Sequence, residues 1–216
     1  MALPEQLLHA APLLFATSSL TFTVCEDIFI RPLVELPLPG LTTAAATSSF
    51  SSGAKEGEEE RKKKLRVHNN RVLPGHGRWL RGGLGIVFSM YPLSIATAVA
   101  NVNIATATAL PPMAVKLYTV GAVFSALHMV FGPRAMSLLA SIREDKNNVR
   151  SAAETKAKRG LSSGWLWWFT ETPHYYEDNT AAMEAWLWLN AVRGAVTDFT
   201  QWACYLVAFV LVSRAV

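Results

Sequence analysis

Charge is scarce in this chain, and the scarcity comes in blocks. Only 17% of the 216 residues are Asp, Glu, Lys or Arg, against about 25% in ordinary soluble domains. Gly82 to Val115 holds no Lys, Arg, Asp, Glu or His, and Leu7 to Cys25 holds only His9. Such gaps argue against a soluble globular domain. Cysteine is nearly missing as well. Cys25 and Cys204 are the two present, which excludes a disulfide framework and a CxxC-type metal knuckle. There is no Gly-rich phosphate loop, HExxH, GxSxG or internal repeat, so the common nucleotide, zinc-protease and serine-hydrolase chemistries lose their signatures.

What remains is apolar sequence in four long runs. They predict helices over about 7–29, 81–109, 113–142 and 183–212. Each exceeds the roughly 20 residues needed to cross a bilayer core of about 30 Å. Pro111–Pro112 separates the second from the third, because proline cannot continue a helix. The first run is read as an uncleaved span rather than a signal peptide. Its leader, "MALPEQ", has no Lys or Arg, and "CEDIFIRP" follows where a small-residue cleavage site would stand. The fold class expected is all-α: an antiparallel, up-down transmembrane four-helix bundle in a single membrane domain, residues 1–216.

The net charge of +4 does not imply a nucleic-acid surface. Ten of the twenty Lys and Arg lie between Arg31 and Arg81, and seven between Arg134 and Arg159. The positive-inside rule puts both long loops in the cytosol and both termini on the lumenal side of an endomembrane such as the endoplasmic reticulum. The first loop, 40–78, is small, polar and block-charged, so disorder is expected there. "GWLWWFTETPHYY", from Gly164, has the aromatic content of a segment lying at a membrane interface. The bilayer is therefore the expected partner. The sequence does not speak to oligomeric state.

The informative stretch is "AWLWLNAVRGAVTDFTQWACYLVAFVLV", from Ala185. At 100° per residue, Trp186, Asn190, Arg193, Gly194, Thr197, Gln201, Cys204 and Tyr205 gather on one face, with Asp198 at its edge. The opposite face carries Trp188, Leu189, Val196, Phe199, Ala203 and Leu206. In lipid a polar stripe must face other helices or a wet cavity. The topology puts Thr23, Glu26 and Asp27 of the first span, Trp79, Arg81, Ser89 and Tyr91 of the second, and Ser125 and His128 of the third at the same depth. Arg193 needs an anion, with Asp27 or Asp198 the expected partner. His128 is the acid/base candidate near neutral pH. The same groups could instead serve as polar contacts between helices. His128, Asp27 and Glu26 have no spacing that defines a metal site, so no metal is expected.

"AWLWLNAVRG" and "AVKLYTVGAVFSALHMVFGPRAMSLLASI", with its interruption at Pro133, resemble the last and third helices of the anthrone oxygenase-like family of four-helix membrane proteins. The resemblance covers the four spans and leaves out the first loop. It implies an enzyme of polyketide metabolism that oxidises a flat anthrone-like molecule with dioxygen and without a cofactor. It also implies roles. His128 or a carboxylate such as Asp27 would be the base, and Arg193 and Asn190 would stabilise the enolate. Tyr91 and Trp186 would stack on the polycycle, with Asp198 and Gln201 beside it. A non-enzymatic membrane scaffold is the alternative reading.

Overall fold

A computed structural model describes residues 3–35, 53–108, 110–143, 146 and 178–215. Every regular element there is helical: α1 (Leu3–Glu35), α2 (Gly53–Thr108), α3 (Pro112–His128), α4 (Gly132–Ile142), α5 (Asn179–Arg193) and α6 (Phe199–Ala215). A 3₁₀ turn, Met129–Phe131, joins α3 to α4, and a π-helical turn, Gly194–Asp198, joins α5 to α6. Four stretches are long and apolar enough to cross a bilayer: Pro4–Val34, Val87–Ala105, Pro112–Ile142 and Asn179–Ala215. Only 22–33% of each is buried. Most of their apolar surface therefore faces outward, as lipid contact requires and as water would penalise. The aromatic segment from Gly164 lies outside the described residues.

The described residues form two compact units. The first comprises Met1–Asp27, Arg81–Gly132 and Trp188–Val216; the second comprises Ile28–Leu80 and Pro133–Leu187. In the first, the buried positions repeat at intervals of three and four: Tyr91, Ser94, Ala98 and Asn101 on α2; Ala114, Tyr118, Gly121, Ser125 and His128 on α3; Gln201, Tyr205, Ala208 and Val212 on α6. That period is the seam of helices packed side by side. Ala16, Ala98, Ala114 and Ala208 let the backbones close up around Tyr118 and Tyr205. Gly121 is required by the same packing. A Cβ there would lie 2.4 Å from the Tyr205 ring. His9 bonds Asn101 while Ser19 bonds Tyr91, so α1 and α2 run in opposite directions.

Two prolines explain two interhelical bonds. Pro12 has no N–H for the carbonyl of Leu8, one turn earlier. That carbonyl accepts from Asn101 Nδ2 on α2 at 2.9 Å. In the second unit Pro74 likewise frees the carbonyl of Asn70, which accepts from Asn179 Nδ2 at 3.4 Å, and Asn70 Oδ1 takes the Asn179 N–H at 2.7 Å.

The long first loop departs from expectation. Disorder was expected over 40–78, but α2 begins at Gly53 and runs unbroken into the second apolar stretch. The segment does have few large apolar residues. It compensates with helix-forming Glu, Lys and Arg and with charge pairs at helical spacing, Glu59–Lys62 at 3.5 Å and Glu60–Lys64 at 2.8 Å. It also has tertiary partners: Leu73 is fully buried, Asn69 Nδ2 donates to Thr180 Oγ1, and Arg66 meets Asp178 at 3.4 Å. Residues 36–52 lie outside the described residues.

Candidate active site

Asp198 is the centre of the first unit's polar interior. It has no exposed surface. A carboxylate so placed must be saturated with donors, and three helices supply them. Thr23 Oγ1 of α1 donates to Oδ2 at 2.8 Å, and Tyr91 Oη of α2 donates to Oδ1 at 3.0 Å. His128 Nδ1 of α3 lies 2.7 Å from Oδ1. Thr197 Oγ1 is 3.3 Å away, but its single proton goes to the Arg193 carbonyl at 2.7 Å. The Tyr91 ring stacks on the His128 imidazole with centroids 3.6 Å apart, and Ser19 holds the Tyr91 hydroxyl. With Nδ1–H directed at the carboxylate, the second ring nitrogen of His128 carries the free lone pair.

A cation sits beside this group. Arg193 Nη2 donates to Asn190 Oδ1 and lies 3.6 Å from Glu26 Oε2. Asn190 Nδ2 in turn donates to the Thr23 carbonyl at 3.1 Å. Asn190 therefore locks the guanidinium to α1. Both Arg193 and Glu26 are buried, yet Arg193 Nε and Glu26 Oε2 have no hydrogen-bond partner. An unmatched donor and an unmatched acceptor in one buried layer are what a bound polar group would satisfy.

The structure brings His128, Tyr91, Asn190, Arg193 and Asp198 into one layer. Gln201 is a turn away, bonded to Ser125. Trp186 is buried but belongs to the second unit. The anion facing Arg193 is Glu26, where Asp27 or Asp198 was expected. Consecutive helical residues point about 100° apart; Glu26 turns inward and its neighbour Asp27 is only half-buried. Asp198 is engaged by His128, Tyr91 and Thr23 instead. Ser89 is exposed, and the side chains of Trp79 and Arg81 lie outside the description.

Asp198 was expected at the edge of its stripe, and the π-helical turn is why it is central. Gly194–Asp198 is wound more loosely than an α-helix, so one extra residue fits into the turn. Arg193 with Gly194, and Thr197 with Asp198, then face inward as adjacent pairs. The close approach needs Gly194, since a Cβ there would lie 2.7 Å from Thr23 Cγ2. Sequence reasoning placed Thr23 at this depth but gave it no role. Its only signal was a hydroxyl one turn before Glu26.

Fold and site together define a chain whose described elements are all helical, with four stretches able to cross a bilayer and a buried carboxylate–imidazole–guanidinium layer. Two known proteins are similar to it in sequence. It is 25% identical over 211 residues to epoxidase pydX of an Acremonium species, covering 96% of this chain and 95% of that protein. It is 28% identical over 149 residues to the probable epoxidase scpX of Mollisia scopiformis, covering 67% and 74%. No family model and no solved structure matches the chain.

Proposed function

We propose that the chain is an integral membrane oxygenating enzyme, acting on an apolar unsaturated substrate at the Asp198–His128 layer. The observation that carries this reading is the fully buried Asp198 carboxylate anchoring His128 Nδ1 at 2.7 Å. An imidazole held in one tautomer by a buried carboxylate is suited to take a proton. Arg193, fixed by Asn190, is the cation for a developing oxyanion in a site with little water to screen it. That both relatives are named epoxidases supports an oxygen-transferring class.

The resemblance to the anthrone oxygenase-like family supports a finer reading, an anthrone-like aromatic polyketide. There His128 removes one hydrogen of the activated CH₂ as a proton, and Arg193 stabilises the enolate. Dioxygen adds to the carbon. One oxygen stays as the new carbonyl, and the other leaves as water with the two hydrogens of the CH₂. The electrons balance without an outside donor. An alkene taken to an epoxide has a different balance: releasing the second oxygen as water needs two electrons and two protons from an external reductant.

Deleting the gene in the organism that encodes it, with growth under isotopically labelled dioxygen, tests the proposal. A precursor lighter by one oxygen, or still bearing the CH₂, should accumulate, and the labelled product should vanish. The native gene should restore it and Asp198→Asn should not. An unchanged metabolite profile would overturn the enzymatic reading and leave the scaffold.

A further inference from the structure

The polar interior of the first unit continues past His128 and Asp198. Ser94 on α2, Ser125 on α3 and Gln201 on α6 each lie three residues from Tyr91, His128 and Asp198 respectively, a rise of about 4.5 Å. All three are fully buried, as is Tyr205. Ser125 Oγ bonds Gln201 Oε1, and lies 3.1 Å from Tyr205 Oη and 3.4 Å from Ser94 Oγ.

The cluster leaves one donor without an acceptor. Ser94, Ser125 and Tyr205 have one hydroxyl proton each, and the Gln201 amide has two. The two lone pairs of Ser125 Oγ can receive Ser94 and Tyr205. Its own proton goes to Gln201 Oε1, with the Gly121 carbonyl 3.0 Å away as the competing acceptor. Nothing accepts from Gln201 Nε2, which is buried without a partner. A buried donor left unmatched costs about 1–3 kcal/mol, and the surrounding lipid cannot repair it. A ligand rich in lone pairs, small enough for a gap between packed side chains, satisfies the cluster. Water fits that description.

Beyond the cluster the interior turns dry. The Tyr118 and Tyr205 rings stand 6.2 Å apart, tilted by 34°, among Ala16, Ala98, Ala114 and Ala208. The Tyr118 hydroxyl points away, to the His9 carbonyl at 2.9 Å. The polar compartment is therefore closed at that end.

We propose that Gln201, Ser125, Ser94 and Tyr205 form a blind internal water site, and that this water is the proton store of the Asp198–His128 pair. The second half rests on the proposed function, because oxygenation at that pair must move protons and release water in a layer sealed by lipid. The first half does not depend on it.

Hydroxyl-radical footprinting by X-ray pulse, on the protein in lipid nanodiscs, tests the site without using activity. Radicals made from a resident water oxidise the side chain that touches it. Tyr205 should be oxidised about tenfold faster than Tyr118, which is equally buried but has its hydroxyl bonded to the His9 carbonyl. Gln201→Met keeps the length and removes the donor; Tyr205 oxidation should then fall about tenfold in a protein with unchanged elution and melting. A protected Tyr205 in the native protein overturns the water site. Unchanged oxidation in folded Gln201→Met overturns its assignment to this cluster. Rapid Tyr205 oxidation in a protein whose gene deletion changes no metabolite overturns the proton-store role alone.

Discussion

Arg193 and Glu26 share a buried layer with unmatched atoms on both sides, which makes the pair sensitive to removal of either member. Breaking a buried ion pair from one side costs about 3–5 kcal/mol, because the other charge is left uncompensated. Arg193→Leu should destabilise the protein by that order, read as unfolding in detergent or bicelles. Glu26→Gln in the Arg193→Leu background should recover more than half of the loss. It should recover none of the activity, since the cation proposed for the oxyanion is gone. A double variant as unstable as the single one would show that Glu26 is not the partner. Arg193→Lys separates two roles. Lysine reaches headgroups as well as arginine does, but it cannot fill the planar contact between Asn190 and Glu26. Lysine should therefore insert normally and lose function. The sequence made the residues of this layer legible as a set, because a polar stripe in an apolar helix has one place to go. It did not make the pairing legible, because Glu26 and Asp27 are adjacent and only rotation about α1 decides between them.

A single turn of helix governs the site. The π-helical turn at Gly194–Asp198 sets Asp198 inward, and Gly194 lets α1 approach closely enough for Thr23 to reach it. Gly194→Ala should push Thr23 Cγ2 aside, costing about 1–3 kcal/mol as an overpacked contact and breaking the Thr23–Asp198 bond. Thr23→Ser in the same protein removes that methyl and keeps the hydroxyl. It should restore both melting temperature and activity. Failure of the serine to rescue would mean that the glycine serves the π-turn's backbone rather than the crossing. Constant 100° steps cannot foresee such a turn, which is why Asp198 looked marginal from sequence. The Leu8–Asn101 and Asn70–Asn179 bonds had a signal that could have been used: a proline inside a helix frees a carbonyl one turn back, and a buried asparagine elsewhere is the group to claim it. α2 was misjudged for a related reason. Low apolar content argues against a core, but not against a helix held by its own charge pairs and a few buried contacts. Backbone amides from Lys62 to Leu73 should exchange with deuterium at least tenfold more slowly than unstructured peptide. Free exchange there would return the segment to disorder.

For the whole molecule, the four apolar stretches and the all-helical class follow directly from hydropathy, whereas the side of the membrane each loop faces rests on charge alone. Most of the basic residues fall in the chain segments of the second unit, one before the second span and one after the third. The positive-inside rule then predicts that Lys63 on α2 faces the cytosol and Met113, beside the uncharged connection between the second and third spans, faces the lumen. Both residues are exposed, so a cysteine at either can be reached without disturbing the interior. In a background of Cys25→Ser and Cys204→Ala, Lys63→Cys in sealed, cytosol-side-out vesicles should react with a membrane-impermeant maleimide. Met113→Cys should react only after the vesicles are opened. The reverse pattern would invert the molecule and put the end bearing Asp198 and His128 on the lumenal side. Its substrate and protons would then come from that compartment. Labelling of both sites in sealed vesicles would remove the span between them, and with it the helix that brings Tyr91 to Asp198.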